Sequence, residues 1–88
     1  MLTLQQLHQL RLACRAAQTG SRGFIWRDPS CQLVITVTFR GCVMCYLRQS
    51  DPVLFHALLD ECRKLAASHI MHDIHQGWSV TFQPPALM

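Results

Sequence analysis

The sequence lacks any long apolar run. Its longest largely apolar stretch covers about five residues, Leu33 to Val37, whereas a helix needs roughly 20 apolar residues to cross a bilayer. The amino terminus also lacks a basic segment followed by an apolar core and a small-residue cleavage site, so we expect no signal peptide. These absences predict a cytoplasmic protein without a membrane partner.

Recognisable catalytic motifs are also missing. No glycine-rich phosphate loop occurs, and none of the serines lies in a nucleophile elbow. Only 15% of the 88 residues are charged, and five of them are acids. We therefore expect neither an enzyme nor a bound cofactor. Half of the residues are hydrophobic, which is enough for one small core, and we expect residues 1–88 to form a single domain.

The five cysteines are an odd number without the spacing of a disulfide framework, which favours free thiols in a reducing compartment. Cys42 and Cys45 form a CxxC pair that is compatible with zinc binding. On a strand, however, residues three apart point to opposite faces of the sheet, so the two thiols would not converge on one ion. We expect structural cysteines, and we keep a zinc-binding module only as a second alternative.

The positive charge is concentrated near the amino terminus. The net charge is +3, and residues 1–27 contain four arginines and no acid, whereas the remainder has a net charge of −1. This distribution predicts a basic partner-binding patch of Arg11, Arg15, Arg22 and Arg27. An acidic protein surface is the expected partner, and a nucleic acid is the less favoured alternative.

Two helices are expected. Thr3 and Gln6 have the spacing of a capping box, and Gly20 provides a stop, so the first helix covers roughly residues 3–18. Asp51 and Pro52 are typical of the start of a second helix. Its apolar stripe can continue to Gly77 over about 25 residues, or it can break near Ser68.

If the second helix continues to Gly77, a group of titratable residues would lie on it. On such a helix His69, His72 and Asp73 could share one side, which makes them weak candidates for a metal site. Histidines also suit the carboxyl end of a helix, where they interact with the last carbonyls. We therefore predict no metal ion at these residues.

Four strands are expected at residues 23–27, 32–39, 42–48 and 78–83, so the element order is α-β-β-β-α-β. This order indicates an α+β fold with an antiparallel sheet of three to four strands and two helices packed against it. A two-residue turn at Arg40 and Gly41 would place Phe39 opposite Cys42 and Ile35 opposite Tyr46.

That register divides the side chains between two faces of the sheet. The bulkier face would carry Phe24, Trp26, Leu33, Ile35, Val37, Phe39, Met44 and Tyr46. The other face would carry Ile25, Val34, Thr36, Thr38, Val43, Cys45 and Leu47. Five of these seven residues are apolar, which is high for a surface left in water. Either one helix covers each face, or both helices pack on the bulkier face and the second face binds a partner.

The α-β-β-β-α part of this order resembles that of double-stranded-RNA-binding domains. That family has a lysine-rich start to its second helix, whereas this chain has Ser50, Asp51 and Pro52 there. The resemblance is therefore one of topology alone.

We expect a small non-enzymatic regulator, inhibitor or adaptor that binds another protein and acts as a homodimer. Small inhibitors encoded by phages and other mobile elements fit this size.

Overall fold

The computed structural model describes residues 1–21, 23–30, 32–75 and 77–87. They contain two helices and five strands: α1 (Leu4–Gln18), β1 (Ile25–Arg27), β2 (Leu33–Val37), β3 (Val43–Leu47), α2 (Pro52–Leu65), β4 (Met71–Asp73) and β5 (Trp78–Phe82). The strands form one sheet in the order β1-β2-β3-β5-β4, and each neighbouring pair is antiparallel. The predicted α+β class is confirmed, with β4 as an additional strand.

Helix α1 begins as its sequence predicts. The Thr3 hydroxyl accepts a hydrogen bond from the Gln6 backbone N–H at 3.1 Å, and the Gln6 side-chain carbonyl accepts one from the Thr3 N–H at 2.9 Å. This reciprocal pair of hydrogen bonds satisfies backbone N–H groups that have no acceptor within the helix. The Gln6 amide also donates to Asp28 Oδ2 at 2.6 Å, which ties the helix to the loop after β1.

Helix α2 also begins at the predicted residues but ends early. The Asp51 carboxylate accepts from the Leu54 N–H at 3.1 Å, and Pro52 occupies the first turn. The helix ends at Leu65 rather than Gly77, so the long form is wrong and the earlier break is correct.

The segment after α2 forms an edge strand. Ala66 is extended, with φ −79° and ψ 146°, and the next N–H, that of Ala67, donates to the Gln83 carbonyl at 2.9 Å. Met71 and Asp73 then lie opposite Thr81 and Ser79 of β5. Pairing with the free edge of β5 satisfies backbone groups that a longer helix would satisfy internally. This strand pairing therefore competes with the helix that the sequence pattern of the segment predicts.

The hairpin between β2 and β3 has a three-residue turn rather than the predicted two-residue one. The Thr38 N–H donates to the Cys42 carbonyl at 2.8 Å, and the Gly41 N–H donates to the Thr38 carbonyl at 3.0 Å. Gly41 has φ +81°, as the last residue of this turn type requires. Val37 consequently lies opposite Val43, and every residue of β3 faces the side opposite to the one predicted.

Strand β1 is also displaced from its expected register, with a smaller consequence. Trp26 lies opposite Ile35, whereas a four-residue loop would have placed it opposite Leu33. The displacement is two residues along β2. Because side chains alternate with a period of two, Trp26 stays on the predicted face of the sheet.

Both helices pack against one face of the sheet. The core combines residues of α1, α2 and that face: Leu2, Leu10, Ala13, Cys14, Ala17, Leu33, Ile35, Val43, Cys45, Leu47, Phe55, Leu58, Leu59, Cys62, Val80 and Phe82. The second of the two arrangements expected for the helices is therefore the one observed, which leaves the other face available. Within the described residues, no helix is long and apolar enough to cross a membrane.

Candidate functional site

The face of the sheet turned away from the helices is the candidate functional site, and we call it the open face. The strand registers place ten residues on it: Ile25, Arg27, Val34, Thr36, Met44, Tyr46, Met71, Asp73, Ser79 and Thr81. None of them belongs to the core cluster that both helices help to form. Half of the ten are hydrophobic, and an uncovered sheet face with such side chains is typical of an interaction surface.

The ten residues form two rows that run across all five strands. The first row reads, from β1 to β4, Ile25, Thr36, Met44, Thr81 and Met71. The second row reads, in the same direction, Arg27, Val34, Tyr46, Ser79 and Asp73. The first row is therefore uncharged throughout. The second row has a cation at one end and an anion at the other.

Burial within the open face falls from its centre to its edges. Val34 is only 2% exposed, because it lies between its cross-strand neighbours Arg27 and Tyr46. At the edges, Ile25 is 61% exposed and Met71 is 70% exposed. Large apolar side chains therefore meet water at both ends of the first row.

Four of the seven residues predicted for a partner-binding face of the sheet do not belong to the open face. Val43, Cys45 and Leu47 are at most 5% exposed and lie in the core, so their predicted placement is wrong. The extra turn residue reverses β3 and puts Met44 and Tyr46 on the open face instead. Thr38 lies just after β2 and immediately before the turn, where its hydroxyl accepts a hydrogen bond from the Cys42 N–H at 3.1 Å. The remaining three lie on the open face: Ile25, Val34 and Thr36.

The basic patch is divided between two layers of the molecule. Arg11 and Arg15 are exposed on α1, in the helix layer. Arg27 lies on the open face, on the far side of the sheet from α1. Arg22 lies outside the described residues. The predicted single patch is therefore wrong for the three described arginines, because the sheet separates Arg27 from the other two. Their binding to an acidic protein or a nucleic acid stays a prediction.

Three cysteines meet in the core, one each from α1, β3 and α2. Cys14 is 7% exposed, and Cys45 and Cys62 are fully buried. Burial, together with the neighbouring Cys62, raises the pKa of the Cys14 thiol to about 11. A hydrogen bond with Cys62 and complete burial raise the pKa of Cys45 well above its ordinary value. Both thiols are thus protonated at neutral pH, which disfavours nucleophilic attack by them.

The weak metal candidates do not share a helix face. His69 follows α2, and His72 and Asp73 are consecutive residues of β4. Their expected placement on one side of a helix is wrong, because consecutive strand residues point to opposite faces. Among the residues that the structure describes, no group of three or more His, Cys, Asp or Glu side chains is arranged to hold a metal ion.

Six residues of the open face were missing from the sequence-based set of partner residues. They are Met44, Tyr46, Met71, Asp73, Ser79 and Thr81. Strand β5 was predicted, and its polar residues Ser79 and Thr81 already alternate with apolar ones. That alternation could have identified these two residues, since a strand with one buried face turns its polar residues outward.

Comparison with models of protein families, with curated proteins and with solved structures found no match to this chain. The open face itself offers three kinds of contact. Met44, Tyr46 and the apolar edge residues provide apolar area, the hydroxyl groups can form hydrogen bonds, and Arg27 and Asp73 provide opposite charges. These properties suit the binding of another protein surface.

Proposed function

We propose that this chain is a small non-enzymatic protein-binding regulator, inhibitor or adaptor that acts as a homodimer. The observation that supports this proposal is the open face, a five-stranded sheet surface without a helix packed on it among the described residues. A second copy of the chain is its proposed occupant. Two such sheets would pack face to face, as the layers of a β-sandwich do.

The arrangement of charges favours one mode of pairing. Strand β3 is the central strand of the sheet. A half-turn about an axis parallel to β3, midway between two copies, brings β1 of one copy over β4 of the other. Arg27 then meets Asp73 of the second copy, and the same contact occurs twice by symmetry. Ile25 likewise meets Met71 of the second copy.

The alternative half-turn, about an axis running across the strands, is less favourable. In this arrangement the first row of one copy lies over the second row of the other copy, and β1 lies over β1. Arg27 therefore meets Ile25 of the second copy. Each cation would then lose water without gaining an opposite charge, which costs free energy. The axis along β3 avoids this cost. This axis also places Met44 and Tyr46 against Met44 and Tyr46 of the second copy, at the centre of the interface.

The size of the open face indicates a weak dimer. Five strands about 4.8 Å apart, each roughly 10–17 Å long, give a footprint of about 300–400 Å² per copy. The total of roughly 600–800 Å² is below the approximately 1,200–2,000 Å² of stable interfaces. We therefore expect reversible association with a Kd of about 1–100 µM.

Sedimentation velocity over a range of protein concentrations tests the proposal. We expect the wild-type chain to shift from monomer to dimer within that range. Met44→Asp and Ile25→Asp should both weaken the dimer, because each places a charge in the uncharged first row. Ile25 is already largely exposed, so this variant keeps the test valid if Met44→Asp does not fold.

Val53→Asp is the matched control, because Val53 is 76% exposed on α2, away from the open face. It should dimerise like the wild type. A wild-type chain that stays monomeric at every concentration would refute the homodimer. Val43→Asp and Leu47→Asp cannot serve here, because both side chains lie in the core.

A further inference from the structure

A cavity opens on the helix-covered side of the molecule, where α2 does not reach the edge strand β4. Its volume is about 360 Å³, within the range of about 300–1,000 Å³ that small-molecule sites occupy. Its apolar lining comes from Pro52, Phe55 and Leu59 of α2, Ile74 after β4, and Trp78 of β5. It opens on the other side of the sheet from the open face, and Asp73 of the edge strand borders both.

The innermost part of this cavity is aromatic. The Phe55 and Trp78 rings meet edge to face, with centroids 5.3 Å apart and planes at 85°. Phe55 is only 2% exposed, which fixes it in the core, and Trp78 is half-buried beside it. The more exposed Trp78 ring therefore offers most of the aromatic contact surface, and Phe55 packs behind it. Aromatic guests prefer stacked and edge-to-face contacts.

The mouth of the cavity is rich in imidazole. His56 comes from α2, His72 from β4, and His75 from the turn after β4, and all three are exposed. Asp73 is the one carboxylate among the described residues that line the cavity, and its Oδ1 accepts a hydrogen bond from the backbone N–H of His75 at 2.7 Å. Strand β5 contributes only Trp78 to the lining, which is not titratable. Protonation of the imidazoles would therefore give the mouth a net positive charge.

We infer that this cavity binds a small aromatic carboxylate. The ring would lie against Phe55 and Trp78, and the carboxylate would lie among the three imidazoles at the mouth. An apolar interior with a few convergent polar groups at its rim is the usual form of such a site. A protonated imidazole attracts a carboxylate more strongly than a neutral one, so binding of the anion strengthens when these side chains are protonated.

An NMR titration at about pH 5.5 and about pH 8 tests the inference. The probe is indole-3-acetate, and 3-methylindole is its neutral analogue. The indole N–H signal of Trp78 should shift on binding, whereas that of Trp26, which lies on β1, should not. We expect a Kd of about 0.1–1 mM at the lower pH, which is ordinary for a ligand of this size.

The pH dependence identifies the carboxylate contact. Indole-3-acetate should bind about tenfold more tightly at the lower pH, because imidazolium groups then form charge-assisted hydrogen bonds with it. The neutral analogue should show no such gain. If both probes change equally with pH, or if neither one shifts the Trp78 signal, the inference is refuted.

Three variants assign the contacts to residues. His56→Gln, His72→Gln and His75→Gln combined in one variant should remove the pH dependence and leave binding of 3-methylindole intact. His8→Gln, at an exposed position of α1, is the matched control and should retain the tenfold gain. Ile74→Asp should abolish binding of both probes, because Ile74 lines the cavity and is 48% exposed, so the fold tolerates the charge. Unchanged binding in Ile74→Asp would contradict the proposed location.

Discussion

Reversing the charge at either end of the second row should weaken the proposed dimer. In the arrangement with its axis along β3, Arg27 of each copy lies against Asp73 of the other. Arg27→Asp replaces both attractive pairs by two carboxylate pairs. Asp73→Arg replaces them by two guanidinium pairs. Each single variant should therefore be mostly monomeric at concentrations where the wild type dimerises.

The expected magnitude follows from the exposure of these charges. An exposed ion pair contributes roughly 0.2–1 kcal/mol, and a like-charge pair destabilises by a similar amount. Changing one pair from attraction to repulsion thus costs about 1 kcal/mol at low salt. Two symmetric pairs cost about 2 kcal/mol, which raises the dimer Kd by about thirtyfold. Salt of about 1 M shortens the Debye length to roughly 3 Å and should remove most of the difference.

Mixing the two variants provides the decisive assay. An Arg27→Asp copy has acids at both ends of its second row, and an Asp73→Arg copy has arginines at both ends. A pair made of one of each restores both attractive contacts. Sedimentation of the equimolar mixture should therefore show dimers at a concentration where either variant alone is monomeric. Selective isotope labelling of one variant would confirm that these are mixed pairs.

Mixing also separates the charge contact from an effect on folding. Asp73 accepts the His75 N–H, so its replacement loosens the turn before β5. A copy that had merely lost this structure would gain nothing from a partner with reversed charge. If the mixture stays monomeric while the wild type dimerises, the axis along β3 is wrong. The wild type would then form a dimer of a different arrangement. Arg11→Asp, on the helix layer, is the matched control and should leave dimerisation unchanged.

Two further predictions concern stability. Gly41→Ala should lower the free energy of unfolding in urea by about 1 kcal/mol, because a side chain at φ +81° is strained although its nearest neighbour, the Ala17 carbonyl oxygen, lies at an ordinary contact distance of 3.7 Å. Gly41→Asn should lose less, and an equal loss in both would contradict this cause. Above pH 9 the unfolded chain ionises the Cys14 thiol while the folded protein keeps it protonated until its pKa of about 11. Wild-type stability should therefore fall across this interval, and Cys14→Ala should reduce the fall by up to about 2 kcal/mol in pH-dependent urea titrations.

Local signals in the sequence determined where most elements begin and to which class they belong. The Thr3 and Gln6 capping box, and the Asp51 and Pro52 start of α2, require only contacts between neighbours in the chain. Strand β5 was predicted from its observed first residue to one residue beyond its observed end, because the sequence from Trp78 to Gln83 alternates cleanly between apolar and polar residues. A period of two needs no tertiary information to be recognised.

The end of α2 was decided only by the tertiary structure. Ile70 and Ile74 extend the helical stripe of α2, yet the same segment can form a strand. The free edge of β5 lies within reach, and Met71 to Asp73 pair with it. The sequence alone contains no information about which backbone partner is near.

The open face was likewise decided in three dimensions, by one residue in a turn. A turn containing Arg40 and Gly41 fits the sequence with either two or three loop residues, because glycine accepts the backbone conformation that each needs. The three-residue form moves Cys45 into the core and Tyr46 to the open face. Packing against the cysteines of both helices favours that choice. Side chains alternate with a period of two, so a single added residue exchanges the buried and exposed sides of β3.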